Sequence, residues 1–387
     1  MSTVLEKPDK RGIGISRRSR RRRDEQGAYE VASQWQLMWW KFRKHKLALA
    51  SAVILLLMYL MAAFCEFLSP TLPAQRFTEY KNAPPQTVRF YDKESGFSFR
   101  PFVYDMKMEV DTKTFRRTFQ ADTSKKYPIH FFVRGEPYKL WGLFKTDIHL
   151  FGTKEAGAPL FLMGTDDLGR DLFTRILYGA RVSLSFGILG IILTLVLGLL
   201  LGGISGYLGG VTDTVIQRAI DLLICLPTIP LWMALAAALP RSWSALDIYM
   251  GMIVIFSIIG WTGLARVVRG KILSLREEDF TMAARLAGAS DIRIIRKHLL
   301  PSFASYIIVN TTLAIPGTIL GETSLSFLGL GLQAPVVSWG VLLKDAQNLE
   351  TLAHHPWLLW PAFFIVLTVL MFNFLGDGLR DAADPYK

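Results

Sequence analysis

This chain is short of the residues that carry chemistry. It has two cysteines in 387 residues, Cys65 and Cys225, both inside apolar runs. Neither a disulfide framework nor a thiolate metal set follows from that pair. No GxxxxGK[ST] phosphate loop occurs, which excludes ATP binding by that route. No nucleophile–base set and no His/Cys/carboxylate cluster with ligand spacing stands out, so catalytic residues, metal sites and cofactors are not expected. Acidic residues are also in deficit, 32 against 44 basic ones, for a net charge of +12. That excess invites a nucleic-acid reading. Much of it lies beside apolar spans, however, and membrane orientation accounts for it better, so no nucleic-acid partner is expected.

Apolar length is what the chain has in quantity. Hydrophobic residues make up 51%, mean hydropathy is positive, and several windows could cross a hydrocarbon core of about 30 Å. Residues 1–46 form a basic arm with Arg17-Arg18, Arg20 to Arg23, Lys41, Arg43, Lys44 and Lys46. A twin-arginine export signal is disfavoured, because a long polar stretch separates the arginines from the apolar run and no small-residue cleavage site follows. The arm reads instead as a cytoplasmic N-terminus, with Trp35, Trp39, Trp40 and Phe42 in an interfacial helix. The first span is expected over 47–68, ending before Pro70.

Residues 69–181 break the hydrophobic pattern. Runs at Val88 to Tyr91, around Pro101 (Phe97, Phe99, Val103) and at Ile129 to Val133 predict a few short strands in a small β-rich extracytoplasmic insert. The insert ends in MGTDDLGRDLFTRILYGAR, Met163 to Arg181. There Asp166 and Asp167 precede a short helix, with Asp171 and Arg175 four apart and able to pair.

Five further spans are expected, over 182–207, 215–239, 246–268, 303–327 and 357–375, which together with the loops make a core of 182–387. The first of these carries Gly198, Gly202 and Gly206 at four-residue spacing, which suits a close helix approach within the chain or between subunits. The next holds Pro227 and Pro230, which mark a kink, either in a transport path or in ordinary packing. Pro316 and Glu322 lie in the fifth span. An intramembrane carboxylate is a functional candidate, although a place near the outer end suits an interfacial or structural role. Arg266, Arg269 and Lys271 put the end of the fourth span in the cytoplasm, and four crossings from an inside N-terminus agree.

The stretch that follows, Ser274 to Pro301, is polar and lies between apolar runs. It predicts two helices: a capping box from Ser274 to Glu277, a left-handed Gly288, then a helix capped by Ser290 or Asp291 with Ile292, Ile295 and Leu299 on one face. Ala283, Ala284, Ala287, Gly288 and Ala289 make the joint small enough to press into a groove on another protein. An amphipathic loop resting on the membrane surface is the alternative.

Ala283-Ala284, Gly288 and Leu300-Pro301 resemble the EAA loop of bacterial ABC importer permeases, with Met282 where that pattern has glutamate. Gly164, Asp166, Asp167, Gly169, Arg170 and Asp171 resemble the GTDxxGRD segment ahead of the second span in the dipeptide/oligopeptide permease group. SLSFLGLG and NFLGDGLRDAADP are similar to that group as well, so the resemblance runs from about Met163 to Pro385. It implies an all-α polytopic membrane protein of the type I ABC importer permease fold, a C-type subunit with six transmembrane helices. Residues 274–301, including Arg285 and Ala289, would form the loop that docks on the ATPases. The 164–171 segment would be a periplasmic access element.

The partners implied are a second homologous permease, two cytoplasmic ATP-binding subunits, a periplasmic substrate-binding protein and membrane lipid. Substrates of such permeases are most often peptides, with oligosaccharides, opines and metal chelates as alternatives. Two readings from other classes compete: an ion-coupled secondary transporter using Glu322 or Asp221, and a membrane-anchored binding protein, which would leave five spans idle.

Overall fold

Lys46–Ala63 is almost wholly aliphatic after its first residue, and an 18-residue α-helix of this kind spans about 27 Å, close to the hydrocarbon thickness. The computed structural model describes residues 34–92, 96–110, 117–155, 158–240, 242–347 and 349–384. The arginines of residues 17–23 lie outside these. An amphipathic helix α1 (Gln34–Lys44) precedes α2 (Lys46–Ala63) and a four-residue α3 (Cys65–Leu68), so the expected 47–68 span is one helix and a turn of another, broken at Phe64. α1 packs at the far end of the chain: Lys41 donates to the Asp384 carbonyl at 2.7 Å, and Phe42 buries against Ala382.

The insert is one four-stranded antiparallel sheet in the order β1-β2-β3-β4: β1 (Arg89–Asp92), β2 (Gly96–Val110), β3 (Arg117–Leu140) and β4 (Phe144–Thr153). β1 is as short as expected, β2 and β3 are longer, and β4 lies where no strand was expected. β3 pairs with β2 along its first half, Arg117 to Pro128, and with β4 along its second, Ile129 to Leu140. The first half is mostly polar and exposed, with Phe119 and Tyr127 as its only aromatics, so it carries little of the apolar alternation that marks a strand in sequence.

Beyond the insert, α4 (Leu172–Leu208) runs for 37 residues without a break. The expected short helix at its start is the first turns of this one. Next come α5 (Gly210–Cys225) and α6 (Thr228–Ala237), which meet at 91°. This is sharper than the predicted kink. Pro227 is the N-cap of α6 and Pro230 lies in its first turn, where a missing N–H costs nothing, so the prolines begin a second helix rather than bend one. The fourth span is α7 (Ala245–Leu275), which starts with a Ser244–Asp247 capping box. Short helices α8 (Asp279–Leu286), α9 (Asp291–Ile294) and α10 (Leu300–Ser302) lead to α11 (Ala304–Phe327), which runs through Pro316. α12 (Trp339–Lys344), α13 (Leu349–His354) and α14 (Trp360–Ala383) complete the chain. Among the described residues five helices are long and apolar enough to span a membrane, or six if the bent α5–α6 pair is one span.

Glycine lets α4 and α7 approach closely along one seam. A Cβ on Gly198 would meet Leu264 at 2.8 Å, one on Gly202 the Ala265 carbonyl oxygen at 2.5 Å, and one on Gly206 the Arg269 carbonyl oxygen at 2.8 Å. The small-residue stripe is therefore an intramolecular seam between α4 and α7. Residue numbers rise together along it, so the two helices are parallel and end at the same face. At that face Arg269 holds Asp213 of α5 at 2.5 and 2.6 Å, and Asp213 accepts from Ser205.

Lipid gives no hydrophobic drive to helix pairing, so this close approach supplies much of the association by packing alone. Gly202→Ala is expected to push α7 off α4 and cost about 1–3 kcal/mol, read as a lower melting temperature in detergent. Gly263→Ala, whose Cβ would meet nothing within 4 Å, is expected to leave that temperature unchanged or raised.

Candidate functional site

Two regions gather the residues singled out in the sequence, one at each end of the bundle. The first hangs from the end of α7. Ser274 lies inside α7 and not at a cap, because the helix continues to Leu275, so the expected capping box does not form. α8 begins instead after Glu278, and the Thr281 hydroxyl donates to the Leu275 carbonyl at 2.9 Å, clamping α8 under α7. Its C-terminus is a Schellman motif: Ala289 N–H donates to the Ala284 carbonyl at 3.1 Å and Gly288 N–H to Arg285 at 3.0 Å. Gly288 has φ of 78°, as its position after the helix predicts.

Ala284 and Ala289 pack inward against Ile294, Leu299 and Ile272. The inward face of α9 and the π-turn that follows is Ile294 and Leu299 with Ile295 packed beside them; of the expected Ile292, Ile295 and Leu299, only Ile292 turns out, at 75% exposure. The wider π-turn over Ile295–Leu299 shifts the helical phase that the sequence estimate assumed. Pro301 lies within α10, which runs on to Ser302.

The outward side carries an apolar group, Leu286 at 88% exposure with Phe280, Met282 and Ile292, set among exposed charged residues such as Asp279, Arg293, Arg296 and Lys297. One tyrosine missed in the sequence braces the unit. Tyr207, at the end of α4, donates to Asp291 at 2.7 Å, and Arg285 donates to its hydroxyl at 3.3 Å with the guanidinium 5.7 Å over the ring. Tyr207 sits in an apolar run, and only the fold brings it to the joint.

The second region is Met163 to Arg175, at the start of α4. Asp166 accepts from the Leu168 and Arg170 backbone N–H groups, both at 2.9 Å, from Arg170 Nε at 2.7 Å and from Arg175 Nη1. Arg175 therefore pairs with Asp166 and not with Asp171, as spacing alone suggested. Asp171 caps α4, accepting from Thr174 N–H at 3.1 Å and its hydroxyl at 2.6 Å. Gly164 and Gly169 have positive φ and lie against the Ala83 and Phe77 carbonyls, with no room for a Cβ. Trp357 donates to the Thr165 carbonyl at 3.1 Å. The segment thus ties the insert linker, α4 and the last loop into one frame.

Asp166, Asp167 and Asp345 bring carboxylate oxygens within 4.8 Å of one another. Arg170 and Arg175 lie 3.9 and 3.7 Å from Asp345 and also hold Asp166, so guanidiniums answer that charge.

Glu322 is fully buried in α11. It accepts from Ser326 and Ser338 at 2.8 Å and from Ser183 at 3.3 Å, joining α4, α11 and the cap of α12. Pro316 is buried in the same helix, while Pro227 and Pro230 sit at the α5–α6 break.

Five or six apolar helices of spanning length, with polar groups fixing both ends, mark a multi-pass membrane protein. The sequence matches the family model described as "Binding-protein-dependent transport system inner membrane component" over residues 195–386. The model "N-terminal TM domain of oligopeptide transport permease C" matches residues 33–85, which extends the likeness to an N-terminal region the sequence motifs left unexplained. Neither covers 86–194. The dipeptide transport system permease protein DppC of Bacillus subtilis is 42% identical over 223 residues, 57% of this chain and 68% of that protein. The oligopeptide transport system permease protein OppC of the same organism is 41% identical, over 57% of this chain and 70% of that protein. The OppC of Haemophilus influenzae is 41% identical over 62% of this chain and 75% of that protein. The chain belongs to the dipeptide/oligopeptide permease family of binding-protein-dependent ABC transporters.

Burial raises the Asp171 carboxyl to about 6, against the hydrogen bonds from Thr174, Phe173 and Thr71 that pull it down. The ordinary value is about 3.9, so between about pH 4 and 6 the unfolded chain releases a proton that the folded chain keeps. Stability then falls as pH rises through that window, by at most about 1.4 kcal/mol per pH unit, and levels off above it. Asp171→Asn keeps a cap without the titration. Melting curves from pH 4 to 7 are expected to show wild type losing ground to the variant up to pH 6. A constant difference would mean an ionised Asp171 throughout.

Proposed function

We propose that this chain is the membrane-spanning permease subunit of an ATP-driven importer for peptides, receiving substrate from a periplasmic binding protein. The observation that carries the reading is the 276–301 unit: an apolar ridge of Phe280, Leu286 and Ile292 turned outward on a base fixed by Thr281, Tyr207, Arg285 and Asp291. A rigid, exposed apolar ridge suits a protein groove, and its attachment to α7 makes it a lever on the bundle. The relatives named above, dipeptide and oligopeptide permeases, support the peptide substrate.

In this reading the bent α5–α6 pair counts as one crossing, for six in all. The parallel run of α4 and α7 supports that count, since the chain has to return between them. The termini and the 276–301 unit lie in the cytoplasm, and the insert lies in the periplasm. Two ATP-binding subunits dock on the unit, and a second homologous permease completes the path. ATP-driven closure moves α8, and α7 carries the motion into the spans. Chemistry on ATP belongs to the partners, and this subunit is not catalytic. Met282 takes the place of the family glutamate on the exposed face, so docking here relies on apolar contact. The Gly164–Asp171 segment holds the outer mouth in shape, Pro227 and Pro230 shape the path wall, and Glu322 with Pro316 serves helix packing.

Leu286→Asp tests the docking. The side chain is exposed, so the fold is expected to stand, with an unchanged melting temperature for the isolated subunit. Co-purification is expected to lose ATP-binding subunits by roughly tenfold, about 1.4 kcal/mol, while the second permease stays bound. Full retention of the ATP-binding subunits would remove the docking assignment.

A further inference from the structure

The β3–β4 hairpin ends in Leu140-Trp141-Gly142-Leu143-Phe144, and this tip is apolar and bare. Trp141 is 51% exposed, Leu143 75% and Phe144 62%. Small soluble domains seldom present a tip of this kind unless something covers it. Trp141 also sits at φ of 53°, a left-handed conformation that a bulky side chain adopts at a cost.

The position of that tryptophan explains the cost. Its indole Nε1–H donates to the Ala63 carbonyl at 2.7 Å, and its ring lies 5.4 Å from the ring of Phe64. Ala63 is the last residue of α2, so its carbonyl is one of those a helix end leaves without an intrahelical partner. Arg181 donates to the Ala62 and Ala63 carbonyls, both at 3.1 Å, and is held by Glu66. A hydrophobic helix of bilayer length that ends in a ring of polar donors marks the edge of the hydrocarbon. The hairpin tip is pinned at that depth.

The surface is continuous as well. Val53, Leu56, Leu57, Leu60 and Phe64 form an exposed stripe up α2, and the stripe leads from Phe64 onto Trp141. Just behind the tip, Lys139 and Lys145 are direct cross-strand partners and both exposed. Like charges placed opposite each other are unfavourable, and a lipid phosphate between them would relieve this.

We propose that the β3–β4 tip is a lipid anchor. Trp141, Leu143 and Phe144 enter the boundary between headgroups and acyl chains beside α2, and Lys139 and Lys145 take the phosphates. The occupant is the bilayer interface, and the consequence is that the insert is fixed in height and orientation over the bundle. Aromatic residues are favoured at this depth because an apolar ring and a polar edge are both satisfied there.

The test uses the full transporter in lipid nanodiscs, with the native cysteines replaced (Cys65→Ser, Cys225→Ser) and one nitroxide attached at Leu143→Cys. Collision with lipid-soluble oxygen is compared with collision with a water-soluble nickel chelate. Labels at Leu56→Cys on α2 and at Ser124→Cys on exposed β3 set the lipid and water references. At Leu143 the oxygen-to-nickel ratio is expected near that of Leu56 and several-fold above that of Ser124. A ratio like that of Ser124 would overturn the anchor. Low access to both probes would overturn it too, and would give the tip to a protein partner. The inference rests on α2 being a span, and a water-like Leu56 would locate the failure there instead.

Discussion

The structure depends on how closely α4 and α7 approach each other. Two long apolar helices gain nothing by hiding from water inside a bilayer, so their pairing relies on dispersion and on backbone proximity. Gly198, Gly202 and Gly206 let α7 come so near that a single methyl group would strike the Ala265 carbonyl. Because the two helices run in parallel, both deliver their ends to one face. Tyr207 arrives there from α4 and the 276–301 unit from α7. Asp213 of α5 is drawn in by Arg269. The brace of the exposed ridge therefore follows from the seam.

Polar groups are spent at both ends of the bundle and almost nowhere between. At one end Arg285, Tyr207 and Asp291 fix the loop; at the other Asp166 gathers Arg170, Arg175 and three chain segments. Asp221 of α5, paired with Arg266 of α7, and Glu322, surrounded by three serine hydroxyls, are carboxylates within spans. Three neutral donors aimed at one carboxylate make a joint between helices, since each hydroxyl comes from a different packing element or turn. Helices braced by polar groups at both ends and closely packed along a glycine seam suit tilting as bodies that keep their internal shape.

Much of this was legible in the sequence, for reasons tied to particular residues. Span positions came from apolar length, and the loop came from small residues between charged ones. Gly288 was readable because a helix stop demands a left-handed residue. What escaped depended on phase or on tertiary partners. The π-turn over Ile295–Leu299 sets Ile294 and Leu299, five residues apart, on one buried face, a spacing that a 3.6-residue count does not anticipate. Arg175 lay at pairing distance from Asp171 in sequence, yet Asp171 was already engaged as a cap, and Asp166 took the guanidinium through a turn that Gly169 permits. Pro227 reads in sequence as a kink, and as the N-cap of a new helix it instead starts α6 at 91° to α5. The insert hid its longest strand because the first half of β3 is mostly polar and exposed.

The central claim is that the 276–301 unit couples ATP hydrolysis elsewhere to substrate movement through this chain. The most direct measurement is uptake of a labelled peptide into proteoliposomes that hold the complete transporter and its binding protein. ATP is supplied on the loop side, and an ionophore collapses every ion gradient. The account predicts that uptake continues with ATP present and stops when ATP is withheld. Uptake that the ionophore abolishes while ATP is maintained would contradict it, and would return Glu322 and Asp221 to consideration as sites of ion coupling.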